Sequence, residues 1–281
     1  MKQAYGAAGA IILAVAVGAG GYLGWSHWRA AQAPDMPAAA SAPQPPASPS
    51  PPPVAAPAAE PAVRYPLAAA SAAVPADPDA AVRSALAEAL GDAMVRRYVV
   101  LDDFAHRVAA TVDGLPASAS AARWWPVMRT PERFLVEQRA DGATVVAPAN
   151  AARYRPFVAA VEAAGADRIV GAYRQLYPLL QAAYEALGYP GRYFNDRVVA
   201  VIDHLLETPV PSGPIAVRLP EINAAVQPTR PWVRYEFVDA SLEARSAGQK
   251  CLLRMGPDNE RRLKAELAAI RRLLTQGAPA R

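Results

Sequence analysis

The chain has 281 residues, 29 of them proline, with 29 Lys and Arg against 25 Asp and Glu, three His and one Cys. One cysteine excludes an internal disulfide, and three histidines, none spaced with another His or with Cys251, exclude a zinc site of the usual ligand spacing. A formal charge of only +4, without zinc-finger spacing or an RNA-binding aromatic motif, argues against nucleic acid as a partner.

The first element is apolar. From Gln3 to Ser26 there is no charged residue, and Ala4 to Trp25 reads AYGAAGAIILAVAVGAGGYLGW. As a helix it would span about 33 Å, enough to cross a bilayer. A cleavable signal peptide has a shorter apolar core, of about 7–15 residues. Ala31-Gln32-Ala33 resembles a cleavage site, but Pro34 follows it, where a prolyl nitrogen hinders cleavage. Residues 1–30 therefore read as an uncleaved single-pass anchor in the bacterial inner membrane. Lys2 on one side and Arg29 on the other nearly balance, so orientation rests on the long downstream region, which suits export to the periplasmic or extracytoplasmic side. Tyr22, Trp25 and Trp28 would sit at the outer headgroup layer. The small residues Gly20 and Gly24, and Ala10, Ala14 and Gly18, have the spacing that lets two such helices pack, which makes a homodimer an open alternative.

Residues 31–76 are rich in Pro and Ala and nearly free of charge and of large apolar side chains. Such a stretch cannot bury enough surface to offset its ordering entropy. Polyproline II at about 3.1 Å per residue makes a stiff tether of up to roughly 100 Å between Pro34 and Arg64.

Residues 77–276 read as one globular domain. Asp77-Pro78-Asp79 has the acids and proline that open a helix, with Val82, Leu86 and Leu90 on one face and Gly91 at its end. A second helix is expected from Asp92, carrying Val95, Tyr98, Leu101, Phe104, Val108 and Val112 to a close at Asp113-Gly114. Phe134–Gln138 and Ala143–Ala147, about a turn at Asp141-Gly142, predict a hairpin. Ile169, Tyr173, Leu176, Tyr177, Leu180, Tyr184 and Leu187 recur at helical steps, with a kink or break expected at Pro178. Asn195 or Asp196 would cap the next helix, with Val198, Val201, Ile202, Leu205 and Leu206 on one side and its end near Thr208-Pro209. A strand pair at Ile215–Leu219 and Val233–Val238 precedes two last helices, Leu242–Met255 and Pro257–Thr275. The fold class is α+β, predominantly helical, with a small antiparallel sheet.

Several long strings then resemble a known family. Tyr173 to Pro209 (YRQLYPLLQAAYEALGYPGRYFNDRVVAVIDHLLETP) and Asp239 to Asn259 (DASLEARSAGQKCLLRMGPDN) are similar to signature blocks of the bacterial family labelled domain of unknown function 3014. VAATVDGLP (Val108 to Pro116) and NAARYRPF (Asn150 to Phe157) are similar to its earlier blocks. The resemblance covers about Tyr65 to Leu274 and the anchor-plus-proline layout. It implies an envelope-associated bacterial protein with no assigned activity, and no catalytic role passes to these residues.

Chemistry has few footholds. No Walker loop, dinucleotide glycine pattern or G-x-S-x-G elbow appears, and no cofactor or metal is expected. Asp196, Asp203 and Glu207 fall on one helix and form the candidate acid and base set of a carboxylate-dependent hydrolase of cell-wall glycan or peptide; helix capping and solvation explain the same residues. For binding, the clustered tyrosines Tyr173, Tyr177 and Tyr184 offer flat faces with hydroxyls, against a core role at helical spacing. Lys250, one of three lysines in an arginine-rich chain, and Arg254 one turn later form a basic pair, against a salt bridge from Lys250 to Asp239 or Glu243. The basic excess points to an anionic envelope component or envelope protein as partner. The functional expectation is a tethered binding or scaffolding module, with the hydrolase as the alternative.

Overall fold

The structure, a computed structural model, describes residues 63–67, 73–120, 122–220 and 233–276. The expected membrane helix at Ala4–Trp25 and most of the tether lie outside the described residues, among which no helix is long and apolar enough to cross a membrane.

Helix α1 spans Pro78–Leu90; its N-cap Asp77 accepts the Ala80 N–H, and Pro78 fits the first turn because it has no N–H to satisfy there. α2 (Asp92–Tyr98) and α3 (Phe104–Gly114) follow. The single helix expected across Asp92–Val112 is thus two. Val99 bridges Val127 antiparallel, the Val100 N–H reaches the Pro126 carbonyl and the Met128 N–H the Tyr98 carbonyl. That pairing holds Val99 extended directly after α2, and Asp103, at φ 50°, turns the chain into α3. Tertiary pairing here overrides a continuous helical pattern.

The hairpin forms as expected, with β1 (Val136–Gln138) against β2 (Thr144–Val146) in antiparallel register, Val136 opposite Val146. Two helices without an expected counterpart come next, α4 (Pro148–Ala152) and α5 (Arg155–Ala164). α6 (Ala166–Ala186) is the central helix, packed by α1, α3 and α5. It runs through Pro178 as one helix, so of the expected kink or break the break does not occur. An interior proline costs about 3 kcal/mol. Eleven residues of α6 are buried, and each large apolar side chain among them contributes about 1.5–3 kcal/mol, so burial outweighs the lost hydrogen bond.

α7 spans Phe194–Leu206. Its N-cap is Tyr193, with no side-chain cap bond, so neither Asn195 nor Asp196 caps it. β3 (Val217–Arg218) pairs antiparallel with β4 (Glu236–Phe237), and a single Val145–Ala216 bridge joins this ladder to β2. The helix expected across Leu242–Met255 is also two, α8 (Ala240–Glu243) and α9 (Ala247–Met255). Ser246 and Gln249 form a capping box that starts α9 afresh. α10 (Pro257–Thr275) closes the fold against α5, α6 and α7.

The protein is therefore predominantly helical α+β. One large apolar cluster runs from Leu67 through α1–α3, α5–α7, α9 and α10 to Leu274, and a small one of Val217, Phe237 and Leu253 lies under the strands.

Candidate functional site

A cleft of about 250 Å³ opens where α2, the 127–131 stretch, the start of α5 and the end of α9 meet. Tyr98, Val127, Phe157 and Met255 are among the apolar residues lining it, and Arg97, Arg129 and Arg153 are its charged lining; no Asp or Glu contributes. The rings of Tyr98 and Phe157 meet edge to face, and the half-exposed Met128 stands at the lip.

The local sequence explains this shape. Pro156 in the first turn of α5 starts that helix directly after Tyr154 and puts Phe157 opposite α2. The Val99–Val127 bridge fixes 127–131 beside Tyr98. Arg153 ties the far wall together: Nη1 donates to Asn150 Oδ1 at 2.8 Å, Nε to the Pro131 carbonyl at 3.1 Å and Nη2 to the Glu132 carbonyl at 3.0 Å. Asn150, fully buried, accepts the Leu135 N–H and donates to the Arg254 carbonyl. Glu132 is held at φ 68°, a conformation that costs a non-glycine residue and persists only where its surroundings impose it. The strained residue thus sits beside the lip.

Electrostatically the cleft is one-sided. Arg153 spends its donors on backbone and Asn150, whereas Arg97 and Arg129 are exposed and make no ion pair among the described residues. Arg97 lies over the Tyr98 ring, 5.4 Å from its centroid. Burial pushes the Tyr154 hydroxyl up to about 12 despite the neighbouring Arg153, so it stays neutral. The arrangement suits an anion borne on an apolar body.

The residues expected at a site lie elsewhere. Tyr173, Tyr177 and Tyr184 are interior, at 7%, 0% and 3% exposure, so the groove reading of these rings gives way to the core reading. The Tyr173 hydroxyl donates to Asn195 Oδ1 and that of Tyr177 to Gln181 Oε1; burial raises both well above the ordinary phenol range. Lys250 is buried, its Nζ 3.1 Å from both the Glu243 carbonyl and Glu243 Oε1. Arg254 is buried too, donating to the Tyr235 carbonyl and lying 4.6 Å over the Phe237 ring. Neither cation lines this cleft or the wider one beside His204.

The three carboxylates do not converge on a cleft. Asp196 accepts the backbone N–H groups of Arg64 and Tyr65. Asp203 pairs with Arg271, and Glu207 is exposed just past α7. A second, wider cleft is lined by Pro116, Ser118, His204, Arg245, Ser246 and Gln249. His204 Nε2 and Ser246 Oγ share a 2.8 Å hydrogen bond there. The Ala247 and Gly248 N–H groups, which could face an oxyanion, already donate to the carbonyls of Ala117 and Leu115. The pair therefore anchors the start of α9 to α7. No group of His, Cys, Asp and Glu that could hold a metal occurs among the described residues.

Sequence reasoning missed Arg97, Tyr98, Met128, Arg129 and Phe157. The available signal was weak: a basic pair at Arg96-Arg97 and the Met128-Arg129 step sit on elements whose meeting depends on a long-range pairing.

Fold and cleft together define a small helical α+β domain with an arginine-rimmed apolar cleft. The model of the family described as Protein of unknown function (DUF3014) matches residues 104–271, and the chain belongs to that family. The match begins after α2, so Arg97 and Tyr98 lie outside it while the rest of the cleft lies within. No curated protein and no solved structure matches the chain.

Proposed function

We propose that the protein is a binding module of the bacterial envelope, anchored in the inner membrane by Ala4–Trp25 and displayed on the extracytoplasmic side, that takes an anionic group carried on an apolar stem. The observation that carries this reading is the cleft between α2 and α5, with its aromatic floor, three arginines and no carboxylate. At about 250 Å³ it falls under the range of about 300–1,000 Å³ usual for whole small-molecule ligands. It thus fits one headgroup or one terminal side chain of a larger envelope component. The anchor rests on the uncharged length of residues 3–26. A hydrolase built on Asp196, Asp203 and Glu207 finds no support, because two of the three are engaged in backbone or ion-pair contacts and none lines either cleft.

The test is calorimetric titration of the full chain in lipid nanodiscs with phenyl phosphate, phenol and benzylamine. Saturable binding of phenyl phosphate alone supports the reading. Equal binding of all three, or binding of none, overturns it.

A further inference from the structure

Val63 to Leu67, which composition assigns to the tether, lie against the domain through Tyr65 and Leu67, which join its large apolar cluster. Their hydrogen bonds come from Tyr193, the N-cap of α7, and from Asn195 and Asp196 in its first turn. Asp196 Oδ2 accepts the Arg64 N–H at 2.9 Å and its Oδ1 the Tyr65 N–H at 2.8 Å. Tyr193 accepts the Leu67 N–H on its hydroxyl at 2.6 Å, and Asn195 Nδ2 donates to the Tyr65 carbonyl at 2.8 Å. Asn195 is fully buried and is itself oriented by the Tyr173 hydroxyl on its Oδ1. Tyr65 and Leu67 face the domain, Leu67 at 7% exposure, while Arg64 and Pro66 face outward.

This is recognition of a peptide through its main chain: a bend at Arg64 and Tyr65 turns two successive N–H groups onto one carboxylate, backbone groups supply the hydrogen bonds, and one apolar position supplies selectivity. All four bonds go to backbone atoms, so any segment that takes the same bend can make them provided it has N–H groups at the positions of residues 64, 65 and 67. Proline is accommodated at 66, whose nitrogen is not used. The receiving residues 193–196 fall inside the family match, whereas the docked segment falls outside it. The receiver is thus part of the family's own domain, and the occupant arrives from the membrane-proximal side.

We propose that Tyr193, Asn195 and Asp196 form a peptide-binding site, occupied in cis by Arg64–Leu67, which recognises a polypeptide segment bent in the same way, with an aliphatic residue at the position of Leu67. In cis occupancy fixes where the tether joins the domain. A peptide of the same pattern takes the site when that segment is displaced.

The experiment uses the full chain in nanodiscs, with circular dichroism to confirm that each variant is folded. Trypsin cleavage after Arg64, followed by mass spectrometry, is expected to be at least tenfold slower in the wild type than in Asp196→Ala. In a second measurement, Leu67→Asp expels the segment, and a fluorescent peptide of residues 62–68, AVRYPLA, is added. Saturable anisotropy is expected with Leu67→Asp and none with Leu67→Asp/Asp196→Ala. Equal cleavage rates in wild type and Asp196→Ala, equal peptide binding with and without Asp196, or no binding to Leu67→Asp would each overturn the proposal.

Discussion

The ring of Tyr98 meets that of Phe157 edge to face, with 5.5 Å between centroids and an 80° interplanar angle. One ring comes from α2, outside the family match, and the other from α5, inside it, so this contact makes the cleft floor out of two separate pieces of chain. A double-mutant cycle with Tyr98→Ala and Phe157→Ala, read by thermal unfolding, is expected to give a coupling energy of about 0.5–1.5 kcal/mol. A coupling near zero would mean that the rings do not support each other.

Lys250 is 2% exposed and faces the Glu243 carboxylate, whose other oxygen accepts the Phe237 N–H. Removing the acid leaves a buried ammonium without its carboxylate, whereas replacing the lysine by an apolar chain of similar length removes the charge altogether. Glu243→Ala should therefore cost about 3 kcal/mol, and Lys250→Met distinctly less. Equilibrium denaturation of both variants checks the order.

Glu260 is fully buried, neither carboxylate oxygen has a hydrogen-bond partner, and Lys264 Nζ stands 3.7 Å away. Burial raises its carboxyl to about 7, outweighing the lowering by Lys264 and Arg261. The folded state holds this proton up to about pH 7, while the unfolded chain releases it near 4.5. The stabilisation is thus full below about pH 4.5 and is lost as pH rises to about 7. Glu260→Gln should shrink the fall in Tm between those two pH values relative to wild type. An identical fall would show that Glu260 does not titrate in this window.

Gly248 sits in the first turn of α9, where an added Cβ would stand 2.6 Å from Leu205 Cδ2 and 3.3 Å from Leu115 Cβ. Both leucines are fully buried and have little room to yield. Gly248→Ala should destabilise by about 1–3 kcal/mol, the usual cost of overpacking, even though alanine is the better helix former. A gain in Tm would contradict the close packing of α7 on α9.

Local signals made much of this fold legible. Asp77 and Pro78 announce α1, the Asp141-Gly142 turn announces the hairpin, and the four-residue steps from Ile169 to Leu187 announce the central helix. Two of the misplaced boundaries share one cause, a long-range contact that composition does not encode: Val99 pairs with Val127 and splits a helix, and packing around α6 carries it through Pro178. The third is local, the Ser246 and Gln249 capping box that restarts a helix after α8. The candidate site was less legible for the same reason. Tyr173 and Tyr177 looked like a binding surface because tyrosine is amphipathic, but their hydroxyls are satisfied internally by Asn195 and Gln181. Arg97 and Arg129, which do face the cleft, carry no sequence pattern that separates them from other surface arginines.

The most direct measurement of the central claim compares phenyl phosphate affinity for wild type and for the double variant Arg97→Glu/Arg129→Glu, using the full chain in nanodiscs. Both side chains are exposed and unpaired with any acid among the described residues, so Tm should stay nearly unchanged. Affinity should fall at least tenfold, about 1.4 kcal/mol. An unchanged affinity in a folded double variant would contradict the account.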